Sequence, residues 1–213
     1  CTHLFEQAFP TRHFDVGIAE EHAVTMCAGM ASGGLRPFFF VYSTFLQRGY
    51  DQVLHDVCIQ NLPVVLMLDR AGISNEDGQS HQGLYDFAYL RHIPHMTVLA
   101  PADADELEAM IPAALRLGAP CAIRYPKGSL WAGSSKKEPV VYGKAQELLP
   151  ISRITVVTAG SMVGCAYEAI AQLVQKGIEA IGLVNLRFLK PLDGKLLRRL
   201  EEEAQVLLVV EEN

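Results

Sequence analysis

The chain has 213 residues, 50% of them hydrophobic and 20% charged, a composition typical of a globular protein with one or two domains. Its 24 acidic and 18 basic side chains give a net charge of −6, which argues against a nucleic-acid or anionic-membrane surface. No apolar run approaches the roughly 18 residues of a membrane span. The five cysteines lack CxxC spacing, so we expect neither a zinc site nor a disulfide framework, and we expect a reducing, cytoplasmic location.

Short apolar runs alternate with segments of helical period, an order typical of βαβ units that build a parallel sheet. In the first half, the apolar runs predict strands at 13–16, 37–41, 64–69, 96–100 and 121–124. Helices are predicted over 46–58 and 107–115, and the second opens with Asp103 followed by Glu106, as in a capping box. We therefore predict an α/β fold with a parallel sheet.

Residues 126–150 interrupt this alternation, because they contain glycine, serine, lysine and proline without a sustained period. We interpret them as a linker between a first domain at 1–125 and a second at 151–213. In the second domain, we predict strands at 154–158, 180–186 and 206–210 and helices at 163–174 and 194–203. The chain begins at Cys1 rather than Met and ends directly after a strand-like run, so we expect it to be cut at both ends.

Polar segments follow predicted strands at the sheet edge where open α/β proteins bind ligands. The first, DVGIAEEHA at 15–23, enters a helix with Glu20 and Glu21 in its first turn. These carboxylates either complement the helix dipole or include a buried acid that exchanges a proton with a ligand ring nitrogen. The second, at 41–48, contains Tyr42 and Phe45, which by themselves suit core packing better than ring stacking. Its helix is expected to be capped by Ser43 or Thr44.

The third polar segment, residues 69–83, is long and rich in glycine, which suits a binding loop better than a plain connection. It contains Arg70, Asp77 and His81. Each of these side chains alone could belong to a turn or a solvated surface. Together they predict a site.

The order and spacing of five motifs resemble the pyrimidine-binding domain of transketolase-like thiamine-diphosphate enzymes, closest to the 1-deoxy-D-xylulose-5-phosphate synthase family. The motifs are FDVGIAEEHAVT at 14–25, YSTFLQRGYDQVLHDV at 42–57, DRAG at 69–72, DGQSHQG at 77–83 and RYPKG at 124–128. PLD at 191–193 and the terminal VVEEN resemble the C-terminal domain of the family. The resemblance implies a pyrimidine-binding domain without its first strand, followed by a truncated C-terminal α/β domain.

The resemblance also implies how the cofactor is held. Glu20 matches the glutamate that hydrogen-bonds the pyrimidine N1′ of thiamine diphosphate and promotes loss of the thiazolium C2 proton. Glu21 matches a neighbour that takes no part in this chemistry. Phe45 matches the aromatic residue that stacks on the pyrimidine ring, and Tyr42 matches an active-site tyrosine that contacts cofactor and substrate.

For the substrates, the resemblance implies that Arg70 and Arg124 bind the phosphate of D-glyceraldehyde 3-phosphate, a task suited to a permanently charged guanidinium. Asp77 and His81 match catalytic positions near the reacting atoms. Arg48 also aligns with the family, without an assigned role.

The activity implied by the resemblance is that of a thiamine-diphosphate-dependent transferase, which decarboxylates pyruvate and condenses it with D-glyceraldehyde 3-phosphate for isoprenoid, thiamine and pyridoxal biosynthesis. The GDG motif and downstream asparagine that bind Mg²⁺ and the diphosphate have no counterpart in this sequence. We therefore expect no metal ligand here and an inactive fragment. The resemblance implies that the complete enzyme is a homodimer. The alternatives are transketolase, a 2-oxoacid dehydrogenase β subunit, or a non-catalytic interaction or regulatory domain.

Overall fold

The computed structural model describes residues 2–74, 77–128, 131, 133, 139–178 and 180–213. Its strands are β1 Phe38–Tyr42, β2 Val65–Asp69, β3 Thr97–Leu99, β4 Cys121–Arg124, β5 Gln146–Leu149, β6 Ile154–Thr158, β7 Ile181–Asn185, β8 Phe188–Lys190 and β9 Val206–Val210. Its α-helices are α1 His3–Ala8, α2 Glu20–Ser32, α3 Ser43–Leu46, α4 Tyr50–Gln52, α5 Asp86–His92, α6 Ala104–Leu117, α7 Met162–Gln175 and α8 Gly194–Glu203. The predicted α/β fold is confirmed.

The strands form two sheets within the described residues. The first has the order β1-β2-β4-β3-β8, in which β8 alone is antiparallel to its neighbour. The second has the order β5-β7-β6-β9, in which β5 is antiparallel. Strands β3 and β4 are buried at every position, as expected for parallel strands covered by helices on both faces.

The carboxyl ends of β1 and β2 lie side by side, because Tyr42 is in register with Asp69. The second and third polar segments of the sequence begin at these two strand ends. A parallel sheet therefore brings together segments that lie 27 positions apart in the chain.

The helix predicted over 46–58 is a succession of short pieces. It runs through α3, a 3-10 turn at Gln47–Gly49, α4 and a π-helix at Val53–Cys58. The cap prediction was wrong: Tyr42 is the N-cap of α3, and no side chain caps that helix. Gly49 lies against α2, where an added Cβ would be 3.2 Å from Val24 Cγ2 and 3.5 Å from the Glu20 carbonyl oxygen. This close approach sets the distance between the first and second polar segments.

The strand predicted at 13–16 was wrong. These residues have no regular secondary structure, Phe14 is 59% exposed, and Gly17 closes a turn by donating its N–H to Asp15 Oδ1 at 2.9 Å. A short apolar run becomes a strand only when a neighbouring strand completes its hydrogen bonds, and no described strand pairs with this one. In the described strand order, β1 is an edge strand of the first sheet.

Two strands were not predicted, and both join distant segments. Strand β5 lies inside the predicted linker at 126–150 and pairs with β7. Strand β8 follows β7 after a turn at Arg187 with φ 56° and pairs with β3 of the first sheet. The second part of the chain therefore contributes a strand to the sheet of the first part. The limits of the two domains stay predictions.

A buried polar cluster lies at the same junction. Asp103 caps α6 by accepting the Glu106 N–H at 2.8 Å, as the sequence predicts. The Glu106 carboxylate then accepts hydrogen bonds from the Ala102 N–H at 2.7 Å, from Asn185 at 3.1 Å and from the Arg187 guanidinium. The side chains of Glu106 and Arg187 are both 5% exposed or less.

Within the part of the chain that the structure describes, no helix is long and apolar enough to cross a membrane.

Candidate active site

Glu20 is the first residue of α2, and its side chain is only 8% exposed. Its carboxylate lies 3.5 Å from Arg48 Nη1, and the Arg48 side chain is 55% exposed. The neighbouring Glu21 is exposed. The sequence alone does not distinguish Glu20 from Glu21, because both are glutamates in the first turn of α2. The structure distinguishes them by burial, and the buried one is Glu20, which the family resemblance selects.

Arg48 links this carboxylate to an aromatic group. The rings of Tyr42 and Phe45 stack with centroids 5.3 Å apart and an interplanar angle of 21°. His81 meets Phe45 edge-on at 5.3 Å, and the Arg48 guanidinium lies 5.5 Å from the centroid of the same ring. Phe45 thus connects the Glu20–Arg48 pair to the loop that carries His81.

Arg70 extends this group from the end of β2. Its guanidinium lies 4.0 Å from the centroid of the Tyr42 ring and donates from Nη1 to Asp77 Oδ1 at 2.6 Å. Lys127 Nζ lies 3.5 Å from the same carboxylate oxygen. A hydrogen bond from Ser74, and then the charges of Arg70 and Lys127, hold the pKa of Asp77 below its usual range. Asp77 is therefore an ionised carboxylate at neutral pH.

The loop at 69–83 is closed at its base by backbone pairing. Gly72 and Gly83 exchange N–H to carbonyl hydrogen bonds, both 2.9 Å long. Inside the loop, Gln82 accepts the Ser74 N–H at 2.6 Å and donates to the carbonyls of Ser74 and Asp77, both at 3.0 Å. Gln82 was not among the residues predicted from the sequence. The sequence feature that could have predicted its role is an amide side chain in a glycine-rich loop. Such side chains often form hydrogen bonds with backbone groups that have no partner in secondary structure.

Arg124 has a different environment from Arg70. It is 6% exposed at the end of β4 and donates from Nε to Asp86 Oδ2 at 2.8 Å, and the Asp86 side chain is fully buried. Its guanidinium also lies 4.0 Å from the centroid of the Phe87 ring. Asp86 was missed in the sequence, where an aspartate at the start of a helix is ordinary dipole complementation. Side-chain contacts thus connect seven of the residues that align with the family, and Arg124 lies in a neighbouring buried pair; the seven are Glu20, Arg48, Phe45, Tyr42, His81, Arg70 and Asp77.

Comparison with known proteins identifies the family. The model of the transketolase pyrimidine binding domain matches residues 1–131, and that of the transketolase C-terminal domain matches residues 143–213. The chain belongs to the transketolase family. This confirms the resemblance on which the assignment of roles depends, and it confirms a pyrimidine-binding domain followed by a C-terminal α/β domain.

Curated relatives of this transketolase-family chain are 1-deoxy-D-xylulose-5-phosphate synthases. The protein of that name from Clostridium tetani is 49% identical over 209 residues, which are 98% of this chain and 34% of the relative. The one from Pelotomaculum thermopropionicum is 48% identical over 213 residues and is covered to 33%. The chain spans about a third of the length of the curated relatives that it matches.

Solved transketolase structures share the fold. A split-gene transketolase, described as an inactive β4 tetramer, superposes with a TM-score of 0.88 at 30% identity, over 97% of this chain and 67% of that one. A transketolase mutant from Pichia stipitis superposes with a TM-score of 0.74 at 20% identity, over 92% of this chain and 30% of that one. The second likeness concerns the fold alone.

The side chains of the site suit an aminopyrimidine. A buried carboxyl group can hydrogen-bond a ring nitrogen, and an aromatic ring linked to it through Arg48 offers a stacking surface. Glu20, Phe45 and Tyr42 provide this combination. Across residues 2–74, 77–128 and the described remainder, no group of three or more His, Cys, Asp or Glu side chains could hold a metal ion.

Proposed function

We propose that this chain is the pyrimidine-binding and C-terminal part of a 1-deoxy-D-xylulose-5-phosphate synthase. The proposed enzyme decarboxylates pyruvate and transfers the resulting two-carbon unit to D-glyceraldehyde 3-phosphate. The observation that carries the proposal is the contact series Glu20, Arg48, Phe45, Tyr42 and Arg70, which places a buried carboxyl group, an aromatic surface and a cation in one site. The names of relatives 47–49% identical over 98% of the chain support the same activity.

Thiamine diphosphate is the proposed cofactor, and when bound it supplies the carbon nucleophile that attacks the keto group of pyruvate. In this proposal the Glu20 carboxyl group holds a proton at the pyrimidine N1′, and Phe45 stacks on the pyrimidine ring. Burial of Glu20 keeps water away from that proton. Mg²⁺ and the diphosphate group are proposed to be bound by residues outside this chain.

The exposure of Arg70 supports a phosphate site there. Its side chain is 24% exposed and lies against Asp77 and the Tyr42 ring. The Arg124 side chain is 6% exposed and is paired with the buried Asp86 carboxylate. We therefore propose that Arg70 supplies the charge that attracts the phosphate of D-glyceraldehyde 3-phosphate, and that Arg124 supports it from the buried pair. Asp77 and His81 are proposed to act near the reacting atoms.

We further propose that the complete enzyme is a cytoplasmic homodimer. Ile18 is 90% exposed and Phe14 is 59% exposed, and both lie just before the buried Glu20. Apolar side chains beside a binding site suit burial against another domain or a second subunit. Sedimentation of a full-length protein carrying this chain tests the proposal, since a fully active monomer would refute it.

The decisive experiment measures carbon dioxide release from pyruvate by the full-length protein, with and without D-glyceraldehyde 3-phosphate. The synthase is expected to release carbon dioxide and form 1-deoxy-D-xylulose 5-phosphate. Ketol transfer between sugar phosphates would instead indicate transketolase, and a protein without either activity would indicate a non-catalytic domain.

For the substrate site, Arg70→Ala is expected to raise KM for D-glyceraldehyde 3-phosphate about tenfold or more, because a charge-assisted contact is lost. Little effect on KM for pyruvate is expected.

A further inference from the structure

The base of the loop at 69–83 is contacted by the last residues of the second part of the chain. Gly72 has φ 81°, and an added Cβ there would lie 1.6 Å from Glu212 Oε2. The other carboxylate oxygen of Glu212 accepts a hydrogen bond from Ser161 Oγ at 3.0 Å. Glu212 thus rests directly on the glycine whose backbone closes the loop with Gly83.

Asn213 holds the other side of the same base. Its Nδ2 donates to the Leu84 carbonyl at 2.8 Å and to Asp86 Oδ1 at 2.8 Å. Asp86 Oδ2 accepts from Arg124 Nε, so one buried carboxylate joins Asn213 to Arg124. Asp86 Oδ1 also accepts the N–H of Phe87 at 2.8 Å. The orientation of this carboxylate, and with it that of the guanidinium, depends on donors from both parts of the chain.

The two contacts lie at either end of the segment that carries Asp77 and His81, and Gly72 is two positions after Arg70. A loop whose base is held by the Gly72–Gly83 pair of backbone hydrogen bonds can open locally when that pair breaks, because such small units unfold at low free-energy cost. Contacts from the residues that follow β9 of the second sheet restrict that opening. Side chains that must meet a phosphate group within hydrogen-bond distance benefit directly, because small displacements weaken such contacts.

We propose that Glu212 and Asn213 are positioning residues for the acceptor phosphate, which brace the 69–83 loop and, through Asp86, orient Arg124. This inference rests on the proposed function, since it assigns the phosphate of D-glyceraldehyde 3-phosphate to the braced group. As positioning residues, neither contacts the reacting atoms. Their effect passes through the loop base and the Asp86–Arg124 pair.

The kinetic test uses the full-length enzyme with Asn213→Ala, and Glu211→Ala as the matched control, because Glu211 is exposed two positions earlier. Asn213→Ala is expected to raise KM for D-glyceraldehyde 3-phosphate about tenfold, as for loss of a hydrogen bond to a charged group. KM for pyruvate, and KM for unphosphorylated D-glyceraldehyde, are expected to stay within about twofold of wild type. An equal rise for both aldehydes, or no rise for the phosphorylated one, would overturn the proposal.

A second measurement needs no catalysis and keeps this inference separate from the proposed function. Hydrogen–deuterium exchange at the Gly72 and Gly83 amides is expected to be faster in Asn213→Ala than in Glu211→Ala, because the loop base loses its brace. Unchanged exchange would overturn the brace whatever the kinetics show. If wild-type protein forms no 1-deoxy-D-xylulose 5-phosphate, the proposed function fails and the phosphate role falls with it. The exchange data then decide the brace alone.

Discussion

Replacing Glu20 with glutamine separates a structural role of this residue from a chemical one. The substitution preserves the size of the side chain and part of its hydrogen bonding, while it removes the exchangeable carboxyl proton. Glu21→Gln is the matched control, because it removes the same charge from the same turn of α2 at an exposed position. Both variants belong in the full-length protein.

The structure sets the size of the structural effect. The contact that Glu20→Gln weakens is the 3.5 Å pair with Arg48, whose side chain is 55% exposed. Pairs with such exposure contribute about 0–1 kcal/mol to the free energy of unfolding. Loss of a positioned acid or base slows a proton transfer by about 100-fold or more, which corresponds to about 2.7 kcal/mol of activation free energy. A structural role of Glu20 would therefore change the free energy of unfolding slightly, whereas a chemical role would change the activation free energy by a larger amount.

The assay follows exchange of the C2 proton of bound thiamine diphosphate in deuterated water, together with the unfolding free energy of each variant. Glu20→Gln is expected to slow exchange by about 100-fold, with an unfolding free energy within about 1 kcal/mol of wild type. Glu21→Gln is expected to change neither quantity appreciably. Comparable exchange rates in the two variants would remove Glu20 from the proposed proton path.

Three further predictions follow from the described contacts. Glu106→Ala is expected to lower the unfolding free energy in urea by about 3–5 kcal/mol, because the buried Arg187 charge loses its partner. Gly72→Ala is expected to destabilise the protein by at least about 1–2 kcal/mol in the same assay, because φ is 81° and a carboxylate occupies the space of the added Cβ. The Asp56 carboxylate, 2.9 Å from His55 Nδ1, raises the pKa of His55, so Asp56→Asn is expected to lower that pKa toward its ordinary value of about 6.5 in an NMR titration.

Glu108→Ala removes an exposed carboxylate from the same helix as Glu106 and is expected to change stability by about 0.5 kcal/mol or less. Gly34→Ala tests a positive φ alone, because φ is 90° there and nothing lies within 4 Å of the added Cβ. If Gly72→Ala costs no more than Gly34→Ala, the clash with the carboxylate is absent. The His55 contact stabilises the fold below the ordinary histidine pKa and is lost as pH rises through the raised one, so a pair whose contribution grows with pH would contradict the assignment.

Most secondary structure was predictable, because local patterns express it. The runs at 64–69 and 121–124 became β2 and β4, and the helix over 194–203 has the predicted limits. The run at 13–16 is not a strand because its residues pair with none of the strands that the structure describes. Strand β8 was missed because its three residues are a strand only through pairing with β3, about 90 positions earlier.

The candidate site was also predictable only in part. The sequence by itself determined the residue types and their order: a glutamate after a glycine, aromatic residues at a strand end, and Arg70, Asp77 and His81 in one loop, and these sufficed for the family resemblance. Only the tertiary structure decided that Glu20 is buried while Glu21 is exposed. Only the tertiary structure placed Asp86 against Arg124 and brought Asn213 to Asp86 from 127 positions away. The physical reason is that burial and ion pairing depend on which elements pack together, whereas local sequence records only which groups are available to pack.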